Sequence, residues 1–117
     1  MTAEAQRAFW DRFYRALDAG DAETASSLFP DGTEIHLWDG KTFHTREEFR
    51  QWFENLRSKS ENARRHIVDF RVDGDRADVR VVLRANYQGE ERVVQLHHEF
   101  LFEGDQLVRV EVRIIPE

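Results

Sequence analysis

Residues 76–114 read RADVRVVLRANYQGEERVVQLHHEFLFEGDQLVRVEVRI, and apolar side chains recur along this stretch with a period of two. That period is the mark of strands that bury one face. In the first run Ala77, Val79, Val81, Leu83, Ala85 and Tyr87 share a face, opposite Asp78, Arg80, Arg84 and Asn86. In the second, Val94, Leu96, His98, Phe100 and Phe102 have inward parity; in the third, Val108, Val110, Val112 and Ile114 do so against Arg109, Glu111 and Arg113. Gln88-Gly89-Glu90 and Glu103-Gly104-Asp105 are the turns between them. Upstream, Asp73-Gly74-Asp75 closes a further run that begins after Ser60, where His66, Val68, Phe70 and Val72 share inward parity and Ile67 opposes it. A bulge near Ile67 would switch faces there, which leaves the facing of Arg65 open. Four long antiparallel strands are expected.

Before Ser60 the period is that of a helix. Phe9, Trp10, Phe13, Tyr14 and Leu17 recur at spacings of three and four within Ala3 to Ala19, and Gly20 ends that helix. Asp21 can cap a second, short helix to about Phe29, stopped by Phe29-Pro30-Asp31-Gly32. Thr33 to Trp38 and Lys41 to His44 read as short strands joined by Asp39-Gly40, a type I′ hairpin signal. Thr45-Arg46-Glu47-Glu48 is a capping box, in which Thr45 and Glu48 satisfy each other's free backbone donors. It opens a third helix with Phe49, Trp52, Phe53 and Leu56 on one stripe. The fold class is α+β: three helices packed in a curved antiparallel sheet of about six strands, in one domain over residues 1–117, with a pocket at the open end.

Composition narrows the function. With 17 Lys and Arg against 23 Asp and Glu, a net charge of −6 and scattered basic residues, a nucleic-acid partner is not expected. No apolar run approaches the ~18 residues that cross a bilayer, and MTAEAQRAF lacks the basic and apolar regions of a signal peptide. No membrane association and a cytoplasmic location on expression are therefore expected. The absence of Cys removes thiolate chemistry and cysteine zinc sites. No helix carries paired metal-binding histidines, adjacent His97 and His98 point to opposite faces of a strand, and no Gly-rich phosphate loop is present. No metal is expected.

The candidate chemistry lies on the inward faces. Tyr14 and Asp18 are four residues apart on the first helix and can line one pocket wall. His98 is a titratable group within an apolar strand face and needs a partner if buried; the Tyr14 phenol can supply it. Such a histidine also fits a hydrogen-bonded core position with no chemical role. Asp18, withdrawn from water, requires a cation, which Arg65 or Arg64 can provide; exposed before Gly20 it would be ordinary surface chemistry. His66 could be a second site base or, equally, part of a strand entrance with solvated charges, and neither His36 nor His44 is given a role. The aromatic inventory, with Phe13, Trp38, Trp52 and Phe53 among the inward candidates, favours a planar, aromatic ligand in contact also with Val81, Leu83, Leu96, Val110 and Val112.

The element order resembles the NTF2-like superfamily. The segments DRFYRALDAGDAETASSLF (11–29), IHLWDGKTF (35–43) and TREEFRQWFENL (45–56) resemble more closely the de novo designed luciferases built on idealised NTF2-like scaffolds. The capping box, the Asp-Gly hairpin and the near-strict strand alternation agree with idealised design. The resemblance implies a Tyr14–His98 dyad and an Asp18–Arg65 dyad beside a luciferin. It further implies oxidation of a coelenterazine-type imidazopyrazinone, such as diphenylterazine, by molecular oxygen as co-substrate, with no cofactor. Two other readings stay open: a SnoaL-like cyclase, isomerase or dehydratase using His, Asp and Tyr as acid–base groups, and a non-catalytic binder of planar aromatic ligands.

Outward positions Asp78, Arg80, Arg84, Asn86, Gln95, Glu99, Arg109, Glu111 and Arg113 would place many charges in any contact through the back of the sheet, and Val82, Val93 and Leu101 are scattered among them. The protein is therefore expected to be a monomer. Light scattering at micromolar concentration checks this, and a mass near twice that of one chain would assign the outer face to a dimer.

Overall fold

Thr2 starts the first helix: its hydroxyl accepts the Ala5 N–H at 3.0 Å, and α1 runs over Ala3–Asp18. In this computed structural model, which describes residues 1–116, α1 ends at Gly20, whose φ of +71° lets the Gly20 N–H reach Leu17 and the Asp21 N–H reach Ala16. That paired closure is a Schellman turn, and it redirects the chain at once into α2 (Ala22–Ser27), capped by the Asp21 carboxylate on Thr24. Two short strands follow, β1 (Glu34–His36) and β2 (Thr42–Phe43), then α3 (Arg46–Arg57). Four long strands complete the chain: β3 (Ser60–Asp73), β4 (Arg76–Tyr87), β5 (Glu90–Glu103) and β6 (Gln106–Ile114).

The six strands form one sheet in the order β2-β1-β6-β5-β4-β3. Neighbours are antiparallel except β1 and β6, which run parallel with Ile35 opposite Val110. The sheet expected to be antiparallel throughout is thus mixed, because α3 and three long strands intervene before β6 returns beside β1. The hairpin also differs from expectation. Only Gly40 has positive φ in the turn, whereas a type I′ turn needs two such residues. The loop holds three residues, Trp38 to Gly40, closed by Leu37 N–H to Lys41 O at 2.8 Å, and the strands are correspondingly shorter than Thr33–Trp38 and Lys41–His44. At α3 the Thr45 hydroxyl accepts the Glu48 N–H at 3.1 Å, as expected, and the Glu48 carboxylate takes the His44 N–H at 3.1 Å ahead of a weaker contact with the Thr45 N–H.

Three register shifts set which side chains enter the core, the first in β3 between Glu61 opposite Asn86 and Arg64 opposite Arg84, where Asn62 has a φ of +57°. In β3 the register passes from Ile67 opposite Val81 to Asp69 opposite Arg80, so Val68 is the inserted residue. Before it Arg65 and Ile67 face the helices; after it Phe70 meets Trp10 and Val72 packs on the core. His66 and Val68, expected inward, are exposed. In β6 the register slips between Arg109 opposite Leu101 and Leu107 opposite Phe102, which removes Val108 from the inward row and buries Leu107 in its place.

α1 lies across the concave face of the sheet. Phe100, fully buried on β5, sits 5.9–6.4 Å from the rings of Phe9, Trp10, Phe13, Tyr14, His98 and Phe102. This cluster joins helix to sheet, with edge-to-face and stacked pairs in the range where aromatic rings attract. Among the described residues no helix is long and apolar enough to cross a membrane. Replacing Phe100 by Ala is expected to lower the unfolding free energy by about 3–5 kcal/mol, as deletion of a fully packed ring does. Denaturant titration measures this; a loss below about 1 kcal/mol would show that the surrounding rings close the gap.

Candidate functional site

The concave face that α1 leaves uncovered forms a cavity of about 360 Å³, within the ~300–1,000 Å³ of small-molecule pockets. Its walls come from α1, β1, the β1–β2 turn, α3 and the four long strands. Phe13, Trp38, Trp52, Phe53, Leu83, Leu96, Val110 and Val112 all line it, as the sequence predicts. Val81 does not: it shares the inward parity of Leu83 but is locked into the close-packed core. The buried Phe13, Phe49, Phe53 and Leu96 mark the interior, whereas Trp38, 47% exposed, and Ile114, 45% exposed, mark the mouth. The sequence reading missed Leu17, Ile35, Phe49, Arg57, Tyr87 and Ile114 as walls. Inward parity was visible for several of them, but depth along the cone was not.

Tyr14 and His98, 84 residues apart, meet as expected: the phenol oxygen lies 2.8 Å from His98 Nδ1. Burial drives the Tyr14 pKa well above its ordinary value. Burial, and next the nearby Arg65 guanidinium, hold the His98 imidazole down at about 3. The phenol therefore keeps its proton and the imidazole stays neutral. With no other acceptor for the hydroxyl among the described residues, the network assigns the phenol as donor to Nδ1, so Nε2 carries the hydrogen. His98 lines the cavity and Tyr14 does not. The expectation that Tyr14 forms pocket wall is corrected: its ring packs in the aromatic core and its hydroxyl fixes the imidazole from behind.

Asp18 and Arg65 form the second pair. Asp18 Oδ1 accepts from Arg65 Nη1 at 2.8 Å, and Oδ2 accepts the Arg65 backbone N–H at 3.0 Å. The Val68 insertion puts Arg65 on the same side of the sheet as Phe70, where it receives this grip. Arg65 lines the cavity with its side chain 8% exposed. Asp18 is absent from the cavity wall, contrary to expectation; its carboxylate borders a separate polar pocket with Asn62, Arg64 and Asn86. Arg65 Nε is buried and has no hydrogen-bond partner in the protein. A buried cationic donor left unpaired is costly, so the Asp18 contacts carry the whole compensation of this guanidinium among the described residues.

The cavity is thus walled by His98 and the Arg65 side chain among aromatic and aliphatic groups, with Arg65 Nε itself sealed from water. Its charged lining consists of Arg57, Arg65 and Arg92, and no carboxylate reaches it among the described residues. Such a site holds an electron-rich acceptor or an anion and strengthens its interaction with fixed charge by excluding water. His97 points away and bonds Asp78 at 2.9 Å, and His36 bonds Thr42 at 3.2 Å. Among the described residues no three His, Asp or Glu side chains gather closely enough to share a metal ion.

The depressed His98 pKa has a defined effect on stability. The unfolded chain takes up a proton near the ordinary 6.5 that the folded chain refuses until about 3. His98 therefore costs the native state nothing above pH 7 and progressively more between those values, by up to about 1.4 kcal/mol per pH unit. In His98→Gln, which keeps an acceptor for Tyr14 but cannot titrate, unfolding free energy should fall less steeply from pH 6.5 toward 4. Denaturant titrations in parallel at each pH test it; identical slopes for both proteins would mean that His98 is protonated in the fold.

The fold has many relatives. PrhC from Penicillium brasilianum superposes with a TM-score of 0.87 at 17% identity, over 98% of this chain and 83% of that one. An NTF2-like protein of unknown function from Burkholderia pseudomallei gives 0.86 at 17% identity, covering 98% and 92%. A putative polyketide cyclase from Xanthomonas campestris gives 0.81 at 16% identity, covering 94% and 90%. At these identities the likeness establishes the NTF2-like fold alone. No relative is found among curated proteins. The SnoaL-like domain family, however, matches residues 10–110, from the aromatic stripe of α1 to the cavity-lining Val110 of β6. The chain belongs to the SnoaL-like domain family.

Proposed function

We propose that the protein is a cofactor-independent luciferase that oxidises a coelenterazine-type imidazopyrazinone, such as diphenylterazine, with molecular oxygen to an amide, carbon dioxide and light. The observation that carries the reading is the Arg65 guanidinium: buried, held by Asp18, with Nε unpartnered, at the wall of an aromatic cavity that contains no carboxylate. The resemblance of residues 11–29, 35–43 and 45–56 to designed luciferases supplies the substrate class.

In this reading the luciferin loses one proton, and the resulting anion is the species that oxygen attacks. A C–O bond forms to give a peroxide, whose outer oxygen adds to the neighbouring carbonyl carbon and displaces the ring nitrogen bonded to it, breaking that C–N bond and leaving a dioxetanone. Cleavage of its O–O and C–C bonds expels carbon dioxide and leaves the amide excited. Arg65 stabilises the anion through its positive charge, which acts strongly in a dry site. Asp18 is a positioning residue: it binds both the guanidinium and the backbone of Arg65, so the cation cannot swing away. His98 donates Nε2–H to the polar core of the luciferin, with Tyr14 fixing ring and tautomer. The apolar walls keep water from the excited product. The working unit is a monomer, and oxygen is the only co-substrate.

The family also hosts cyclase and isomerase chemistry, which needs a base facing the substrate. Here both Asp18 oxygens are engaged by Arg65, and the low basicity of His98 suits it to donate rather than to abstract. The arrangement favours stabilisation of an anion over acid–base turnover.

Mixing the protein with diphenylterazine in air should give sustained light above the uncatalysed background. Arg65→Ala should lower emission by about a hundredfold, the effect of removing one oxyanion donor, while circular dichroism and thermal melting show a folded protein. Near-parental emission from the folded variant would remove Arg65 from the mechanism. Saturable luciferin binding without emission by the parent would identify a binder in place of an enzyme.

A further inference from the structure

A third guanidinium remains unexplained by this mechanism. Arg57, the last residue of α3, lines the cavity with Trp52 and Leu56 of the same helix and with Ser60 beyond it. Its side chain is half-buried, and it forms no ion pair with any carboxylate among the described residues. Arg92, the other mouth cation, is tied to Glu90 at 3.2 Å. The guanidinium of Arg57 lies against Gly20 at the α1–α2 corner, where even a Cβ would overlap its Cζ, Nε and Nη2. The left-handed glycine that closes α1 thus also makes room for the cation. In a chain of net charge −6 with 23 acidic residues, this cavity collects three arginines and no acid.

From this placement we infer that Arg57 forms a second anion-recognition point, at the cavity mouth, and that the cavity favours planar aromatic ligands carrying an acidic substituent, a carboxylate or sulfonate, over their neutral counterparts. The aromatic body occupies the apolar interior, and the acid group pairs with the uncommitted guanidinium at the rim, partly shielded from solvent. A planar guanidinium suits this task because it presents two parallel N–H donors to a carboxylate or sulfonate. The inference deepens the reading of this cavity as the luciferin site and rests on it only for the identity of the ligand cavity. It concerns selection among ligands, whereas Arg65 concerns the reacting centre.

Two fluorescent probes that differ by one sulfonate test it: 1-anilinonaphthalene-8-sulfonate and neutral N-phenyl-1-naphthylamine. Both are titrated into the parent, Arg57→Gln and Arg92→Gln, with competition between the probes to establish a shared cavity. The parent should bind the sulfonate more tightly. Arg57→Gln should weaken the sulfonate by about fivefold or more, as loss of a charge-assisted contact does, while the neutral probe changes less than about twofold. Arg57→Lys, which keeps charge but not the fork, should recover part of the preference, and Arg92→Gln should have the smaller effect. Equal loss of both probes in Arg57→Gln, an unchanged sulfonate affinity, or no shared binding of the probes by the parent would each overturn the inference. The first two would reduce Arg57 to packing at the helix end. Because the readout is binding, a parent that selects the sulfonate yet emits no light with diphenylterazine supports Arg57 as selector while refuting the luciferase reading.

Discussion

The seat of α1 in the concave sheet governs everything else in this protein. One helix face carries Phe9, Trp10 and Phe13 into the core and, one turn apart, Tyr14 and Asp18 against two different strands. The phenol grips His98 on β5 and the carboxylate grips Arg65 on β3, so the helix cannot slide or rotate without breaking both. Buried polar pairs of this kind add little net stability beside hydrophobic packing, but misplacing them is costly, and they therefore define a single register. The ring cluster about Phe100 supplies the attraction that seats the helix, and the two polar contacts choose where it sits.

The same two contacts leave their inner partners facing the largely apolar cavity. Each pair divides labour between a residue outside the cavity and one at its wall: Tyr14 behind His98, Asp18 behind Arg65. The outer member fixes tautomer or orientation, and the inner member lines the cavity. Preorganised donors in a water-poor space interact strongly with a developing negative charge because no solvent must reorganise around them. The acidic residues that dominate the chain's net charge stay on the outer surface or are neutralised by a partner, which leaves the interior field positive. Charge sign, burial and shape all suit an electron-rich aromatic guest.

Curvature is the other requirement. A sheet with unbroken alternation would put His66 inward and Arg65 outward, and the Asp18 carboxylate would lose its cation. The Val68 insertion reverses this over half of β3, so that Arg65 and Phe70 both reach the concave side. The bulge in β6 does the same for Leu107. These irregularities bend the long strands around α1 and hold the mouth open. The distance from the aromatic core to the exposed Trp38 and Ile114 is the depth of the resulting site.

Much of this was legible from local pattern. The periods of 3.6 and two identify the helices and the four long strands, because amphipathicity is a property of neighbouring residues. Thr45, Asp21 and Gly20 mark helix ends for equally local reasons, and the pairing of Tyr14 with His98 and Asp18 with Arg65 followed from parity joined to family resemblance. Tertiary structure alone decided the rest. Parity cannot locate a bulge, since one inserted residue changes faces at no cost to composition, so His66, Val68 and Val108 were misassigned. Nor can it tell Val81 in the packed core from Leu83 at the cavity wall, two residues farther along the same face. It also cannot show that the Arg57 guanidinium packs against Gly20, 37 positions earlier in the chain. Residues distant in sequence meet only when the sheet has curled around the helix, and the cavity exists only where that closure is incomplete.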